Sequence, residues 1–368
     1  MERRRLGDTG MELSLLGFGG FHLIEIPRAE AAKLLNVYLD RGGNYIETAA
    51  SYGDGISERK IGESVSARRN EFTLATKTTE RSREGYLRDV EQSLRNLRTE
   101  ALDIVFMHAV QSEEDAKAIL GPGGALEGAL AAQRQGKIRF IGITAHGRPD
   151  GLLHAVRAHR FDALMTGFNY FDRFNFPAIE DELLPLCRER GVGVLAMKAL
   201  GDGYLHRSAR TALRYALSLP VAAVVAGMNS RAMLETDLAA AESFSPMGEE
   251  ERGRLYREAP ELGDYVCRLC GDCAAGGFDP RSVFLLEGLY DRQMDSGRVD
   301  DAAEYALRER LKHWFGQRGA AREDYARLAA RVDPERDYGE LNRLCPYGID
   351  VDRKLKLAHA KLVDDGYI

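Results

Sequence analysis

The chain has 368 residues, 44% hydrophobic and 29% charged, with a net charge of −6 and a pI near 5.9. That length suits a barrel-sized domain plus a smaller one, or two to three ordinary domains; the composition excludes disorder, and the acidic balance argues against a nucleic-acid binder. No stretch reaches the roughly 18 apolar residues of a membrane span, and the basic start Met1-Glu2-Arg3-Arg4-Arg5 is not followed by an apolar leader core, so a soluble, cytoplasmic protein is expected.

Residues 4–13 place Gly7-Asp8-Thr9-Gly10 between two short runs, the pattern of a hairpin, which could plug the bottom of a barrel. Beyond it a rhythm repeats to about residue 240. Eight short runs rich in Val, Ile, Leu and Phe fall at 15–19, 44–48, 72–76, 102–107, 139–143, 163–168, 192–197 and 222–226. Such runs read as strands buried on both faces. The stretches between them are helical in period: over 84–97, Leu87, Val90, Leu94 and Leu97 share one face. Strand–helix alternation eight times over predicts a closed (β/α)₈ TIM barrel. An open doubly wound sheet is the alternative, but it calls for a glycine fingerprint after its first strand, which is absent. Ser245-Pro246-Met247-Gly248 marks the boundary, dividing the chain into a barrel (1–245) and a mostly helical C-terminal domain (246–368), with a helix expected over 301–315.

In a (β/α)₈ enzyme the reactive groups sit at the C-terminal ends of strands. Glu47 ends the second run and Tyr52 follows it; Lys77 ends the third and His108 the fourth. A lysine buried there needs a partner, and Glu47 can serve. An ammonium beside a phenol stabilises the phenolate and lowers its pKa, which suits a general acid. A nearby histidine could orient a carbonyl oxygen. Taken singly, each residue could equally be structural: an ion pair, a packed ring, a strand cap.

Asn44-Tyr45-Ile46-Glu47-Thr48-Ala49-Ala50-Ser51-Tyr52-Gly53, with Ser57-Glu58 and Ile61-Gly62, resembles the aldo/keto reductase family over residues 3 to about 240. The resemblance implies a catalytic tetrad of Tyr52 as proton donor, Lys77 tuning it, Glu47 bracing Lys77, and His108 orienting the substrate. Glu47 departs from the family's usual Asp by one methylene. The family holds its nicotinamide with a Ser-Asn pair, a Gln and a stacked aromatic; here Thr144, Ala145, Met165 and Met197 stand in those places, with Asn169 close by. Met165 and Met197 could equally be plain core. Gly20, after the first run, is assigned to the same site. Phosphate binding falls to Gly201-Asp202-Gly203 and to Gly227-Met228-Asn229-Ser230, since loops after strands seven and eight commonly present backbone N–H groups to phosphate; Ser230 or Asn229 could be only an N-cap. Gly227 and Met233 occupy positions where the family's NADP-binding members carry basic residues, with Arg231 a substitute. The resemblance implies NADP, with NAD the rival.

Five cysteines are present. Cys187, in an apolar segment, reads as a core thiol. Cys267, Cys270 and Cys273 form a C-x₂-C-x₂-C triplet, and Cys345-Pro346 supplies a fourth thiol after residues 274–344. Without an export signal such spacing reads as metal binding. A triplet with a Cys-Pro has the elements of a bacterial ferredoxin site and suits one [4Fe–4S] cluster, with tetrahedral zinc the alternative. The pattern is similar to aldo/keto reductases that carry a ferredoxin-like C-terminal extension, although the long insertion is a departure.

The expected function is carbonyl reduction, or its reverse, with a nicotinamide cofactor and a small-molecule carbonyl substrate, the cluster being structural or passing electrons to a partner. Rivals are a non-catalytic, redox-sensing barrel that binds a partner or nucleotide, and a barrel lyase using Tyr52 and Lys77 as acid and base. Neither nucleic acid nor membrane is expected as a partner.

Overall fold

The computed structural model describes residues 1–274, 278–295, 302–313 and 317–363. An antiparallel pair opens the chain: β1 (Arg3–Arg5) and β2 (Glu12–Ser14), with Arg3 opposite Ser14 and Arg5 opposite Glu12. Gly7 in the intervening turn has φ +47, and a Cβ there would lie 2.3 Å from Gly193 N, so the turn sits directly on the chain at the start of a barrel strand. Leu6, Met11 and Leu13 from this hairpin join Tyr45, Ile104, Phe106, Met165 and Leu195 in one buried cluster. The hairpin thus closes the N-terminal end of the barrel.

Eight parallel strands make that barrel: β3 (Leu16–Gly19), β4 (Tyr45–Glu47), β5 (Thr73–Thr78), β6 (Leu102–Met107), β7 (Ile138–Thr144), β8 (Ala163–Gly167), β9 (Gly193–Met197) and β10 (Ala223–Gly227). They hydrogen-bond in chain order, and β10 returns to pair with β3, Val224 opposite Leu16. Their apolar character follows from helices covering the outside while side chains fill the inside. The helix Arg83–Leu97 is N-capped by Ser82, whose Oγ accepts the Gly85 N–H at 3.1 Å. Its inner face is Tyr86, Val90, Leu94 and Leu97. Leu87, expected inside, is half-buried, because the larger ring one residue earlier takes the central position and rotates the face.

The chain separates into two compact units. The first comprises 1–169, 178–200 and 208–247; the second comprises 170–177, 201–207 and 248–368. The segments after β8 and β9 therefore group with the C-terminal helices. The ties are polar and specific. The buried Arg292 guanidinium lies 3.3 Å from Asp172 and 3.0 Å from Asp202, Gln293 Nε2 donates to Phe174 O at 3.1 Å, and the Tyr204 hydroxyl donates to Glu261 O at 3.3 Å. No periodicity announces such contacts.

The second unit's longer helices are Glu249–Glu258, Arg281–Asp291, Ala302–His313, Arg318–Ala326 and Val351–Val363. Residues 301, 314 and 315 of the helix expected over 301–315 lie outside the described residues. Between Arg281–Asp291 and Val351–Val363 sits a buried charge network. Glu287 accepts from Lys354 (2.7 Å), Lys361 (2.8 Å) and the Tyr265 hydroxyl (2.5 Å), and Lys361 also pairs with Asp291 at 2.9 Å.

Candidate active site

The end of β4 delivers Glu47, and the loop beyond it delivers Tyr52. The end of β5 delivers Lys77, and His108 follows β6. Parallel pairing puts Glu47 opposite Ala75 and Lys77 opposite Phe106, so these side chains rise from neighbouring strands at the same end of the barrel. Lys77 Nζ is the hub. It is paired with Glu47 Oε2, donates to Thr48 O at 2.9 Å, and lies 2.9 Å from the Tyr52 hydroxyl. The Tyr52 and His108 ring centres are 5.9 Å apart, edge to face.

Burial sets the protonation states. It disfavours the Lys77 ammonium more than any single partner favours it, but the charges and hydrogen bonds of Glu47 and Tyr52 together outweigh it and hold Lys77 above its ordinary range. Burial raises Tyr52 as well, and the opposing pull of Lys77 only reduces that rise, so the phenol stays protonated; the expected net lowering by Lys77 is not what the surroundings produce. His108 is pushed down to about 3 by burial and by the charges of Lys77 and Arg81, which makes it a neutral imidazole at ordinary pH. Its Nδ1 is buried with no hydrogen-bond partner among the described residues.

Two residues not singled out in the sequence complete this region. Arg81 donates to His108 O and Ala109 O, both at 3.0 Å, and its Nε donates to Asp115 at 3.1 Å. Ala109 holds a left-handed φ of +56, so the guanidinium clamps a strained backbone directly after His108. His146, two residues beyond β7, is 9% exposed with its ring centre 6.0 Å from that of His108. A strand-end position was its only sequence signal.

The residues assigned to the cofactor fare unevenly. Gly20 N donates to Glu47 O at 2.8 Å, and a Cβ on Gly20 would meet Ser57 Oγ at 2.7 Å, so the backbone here passes close to the tetrad. Thr144 Oγ1 accepts the Ala109 N–H at 3.0 Å, and Asn169 Nδ2 donates to Lys198 O at 3.1 Å. Met165 is wholly core; Met197 packs against that core and stays partly exposed. Gly201 has φ +54 and belongs to the second unit. Ser230 caps the helix Arg231–Glu242 by accepting the Met233 N–H at 3.3 Å. Asn229 donates to Glu25 at 2.8 Å, and Arg231 pairs with Glu235. A Cβ on Gly227 would strike the His22 ring at 2.4 Å. Gly20 and the neutral His108 suit the nicotinamide end of a dinucleotide, whereas Glu25 and the paired Arg231 leave the phosphate end without a spare cation at those two positions.

In the second unit, Cys267 and Cys273 are buried, Cys345 is half-buried and Cys270 is exposed. Burial, chiefly, pushes the Cys267 and Cys273 thiols up to about 11, and the charges of Cys270 and Cys345 add to the rise at both. Cys345 is thus within electrostatic reach of the triplet despite the insertion. The Leu269 N–H donates to Cys267 Sγ at 3.4 Å. Among the described residues, however, no three or more His, Cys, Asp or Glu side chains close to metal-holding distance. Cys187 is buried in the first unit and pushed up to about 12, as suits a core thiol.

Residues 15–211 match the aldo/keto reductase family, and the chain belongs to it. It is accordingly an oxidoreductase of that family with the family's (β/α)₈ barrel. It is 27% identical over 217 residues to the uncharacterized oxidoreductase YqkF of Bacillus subtilis, covering 56% of this chain and 67% of that protein. It is 27% identical over the same length to probable aldo-keto reductase 1 of Glycine max, covering 54% of this chain and 60% of that protein. Among solved structures, aldo-keto reductase AKR11C1 from Bacillus halodurans in its holo form superposes with a TM-score of 0.61 at 25% identity, over 69% of this chain and 95% of that one. An aldo-keto reductase from Klebsiella pneumoniae in complex with NADPH shares the fold at a TM-score of 0.58 and 20% identity, over 70% and 95% of the two chains. No helix among the described residues is long and apolar enough to cross a membrane.

Proposed function

We propose that this chain interconverts a small-molecule carbonyl and its alcohol, with Tyr52 as general acid in reduction and general base in oxidation. The observation that carries the reading is the Lys77 hub: one buried ammonium paired with Glu47 and 2.9 Å from the Tyr52 hydroxyl. Burial keeps the Tyr52 proton in place until a carbonyl oxygen arrives, and Lys77 stabilises the phenolate left after transfer. Neutral His108 offers an N–H to the same oxygen without adding charge. Glu47 neutralises Lys77 and fixes its direction.

A nicotinamide cofactor supplies the hydride when bound. Gly20, Thr144, Asn169 and Met197 border its nicotinamide end, and Gly227, Asn229 and Ser230 its phosphate end. The NADPH complex of the Klebsiella relative favours NADP; Glu25 beside Asn229 is the feature that favours NAD. Residues 1–245 form the reductase barrel in this reading and 246–368 a helical domain whose Cys267, Cys270, Cys273 and Cys345 hold one [4Fe–4S] cluster. The electrostatic reach of Cys345 to Cys267 and Cys273 and the backbone N–H on Cys267 Sγ are the features in its favour. Such a cluster supplies one-electron transfer when bound, to a partner, or else serves structure alone.

Fluorescence titration with NADPH and NADH tests the cofactor, and binding of neither would sink the reductase reading. Tyr52→Phe should abolish carbonyl reduction with cofactor affinity retained. Anaerobically purified protein should be brown, with iron and sulfide in equal amounts; a colourless zinc protein would replace the cluster with a zinc site.

A further inference from the structure

The segment after β3 reaches the loop after β10 and brings a carboxylate there that the tetrad does not use. Phe21–Glu25 form a single 3-10 turn. Lys60 fixes it, Nζ donating to Leu23 O at 2.7 Å and to Ile26 O at 2.6 Å. Held so, His22 lies against Gly227, its Cδ2 2.4 Å from where a Cβ would be, and the Glu25 carboxylate accepts from Asn229 Nδ2 at 2.8 Å. His22 Nδ1 lies 3.1 Å from both Glu25 oxygens. An acid thus stands at the loop that borders the phosphate end of the dinucleotide. The basic residue of that loop is engaged elsewhere: Arg231 pairs with Glu235, whose other oxygen holds Arg41 at 3.1 Å.

We propose that Glu25 is the residue by which this chain selects NAD(H) over NADP(H), accepting from the hydroxyls of the adenosine ribose and repelling a 2′-phosphate. The proposal rests on the nicotinamide-cofactor reading above. A carboxylate offers about four acceptor sites, so Glu25 keeps capacity for a ribose hydroxyl beside its bonds to Asn229 and His22. Dinucleotide-binding folds of another architecture use an acid in this way. A phosphate monoester brings a charge of about −1.5 to −2 and meets like charge here, with Arg231 and Lys60 both occupied. Selection is then made by a charge on the first barrel loop, and not only by the lack of bases at Gly227 and Met233.

Fluorescence titration with NADH and NADPH at about pH 8, above the ordinary imidazole range, reads the ratio of the two Kd values. The parent should bind NADH more tightly. Glu25→Gln keeps an acceptor for Asn229 and drops the charge; its NADPH affinity should rise about three- to tenfold, the size of one screened like-charge contact near the surface. Glu25→Lys should invert the preference. Added NaCl should narrow the parent's preference more than that of Glu25→Gln, because screening acts on charge. A ratio left unchanged by Glu25→Gln overturns the assignment and leaves Glu25 a tie between two loops. A parent that prefers NADPH overturns this proposal alone. Binding of neither cofactor by parent or variants overturns it together with the reductase reading.

Discussion

A buried ammonium is tolerable only when its charge is answered, and at Lys77 the answer also defines the chemistry. Glu47 cancels the charge, and the direction left over is toward Tyr52. Because burial outweighs Lys77 at the phenol, the acid form of Tyr52 persists above its usual range. Carbonyl reduction should therefore be flat in kcat through neutral pH and decline only on the alkaline side of about pH 10; a decline centred near pH 7 would point to another donor. His108 gives the opposite limb. Its ring takes a proton at about 3 in the folded chain and at about 6.5 once exposed. Above pH 6.5 neither state is protonated, and as pH falls below that value the unfolded chain binds the proton first. Stability should then drop by up to about 1.4 kcal/mol per pH unit down to pH 3. Urea denaturation of His108→Asn should show a shallower acid limb than the parent over that window; equal slopes would refute the neutral-imidazole account.

At the scale of elements, the site depends on how strand ends are held. Arg81 bridges the loop after β5 to the carbonyls of His108 and Ala109, while Thr144 at the end of β7 accepts the Ala109 N–H. Arg81→Met should leave the fold intact and lower kcat by about tenfold, one misaligned hydrogen bond at the carbonyl, with cofactor affinity unaltered; full activity would show that His108 needs no such clamp. The helices Ile56–Val65 and Arg83–Leu97 approach through Gly62, where a Cβ would lie 2.3 Å from Asn96 O and 2.7 Å from Leu97 C. Both obstacles are backbone, so neither can swing aside. Gly62→Ala should cost about 1–3 kcal/mol in chemical denaturation, by forcing the helices apart.

Over the whole molecule, the second unit is organised by charge as much as by apolar packing. Lys354, with no exposed surface, and Lys361 converge on Glu287, and Lys354 also lies 3.7 Å from the centre of the Tyr265 ring. Removing the central carboxylate leaves two buried cations without their shared counter-charge. Glu287→Gln should destabilise this unit by about 3–5 kcal/mol, read as faster hydrogen exchange in Arg281–Asp291 and Val351–Val363. Unchanged exchange there would mean that Asp291 and Tyr265 suffice.

The barrel was legible in the sequence because its cause is local and repeated. Eight apolar runs must be covered on both faces, amphipathic segments lie between them, and only parallel pairing satisfies both demands. Glu47, Tyr52, Lys77 and His108 were legible for the same reason, since they sit at or just beyond the ends of those runs. Distance and protonation were not. The net rise at Tyr52, the neutrality of His108, the clamp from Arg81 and the approach of His146 depend on side chains brought together from separate strands, and on how much water their packing excludes. The membership of residues 170–177 and 201–207 in the second unit was decided likewise, by Arg292, Gln293 and Glu261, far along the chain. Periodicity reports which face of an element is buried. Which distant charge meets it there is set only when the chain has folded.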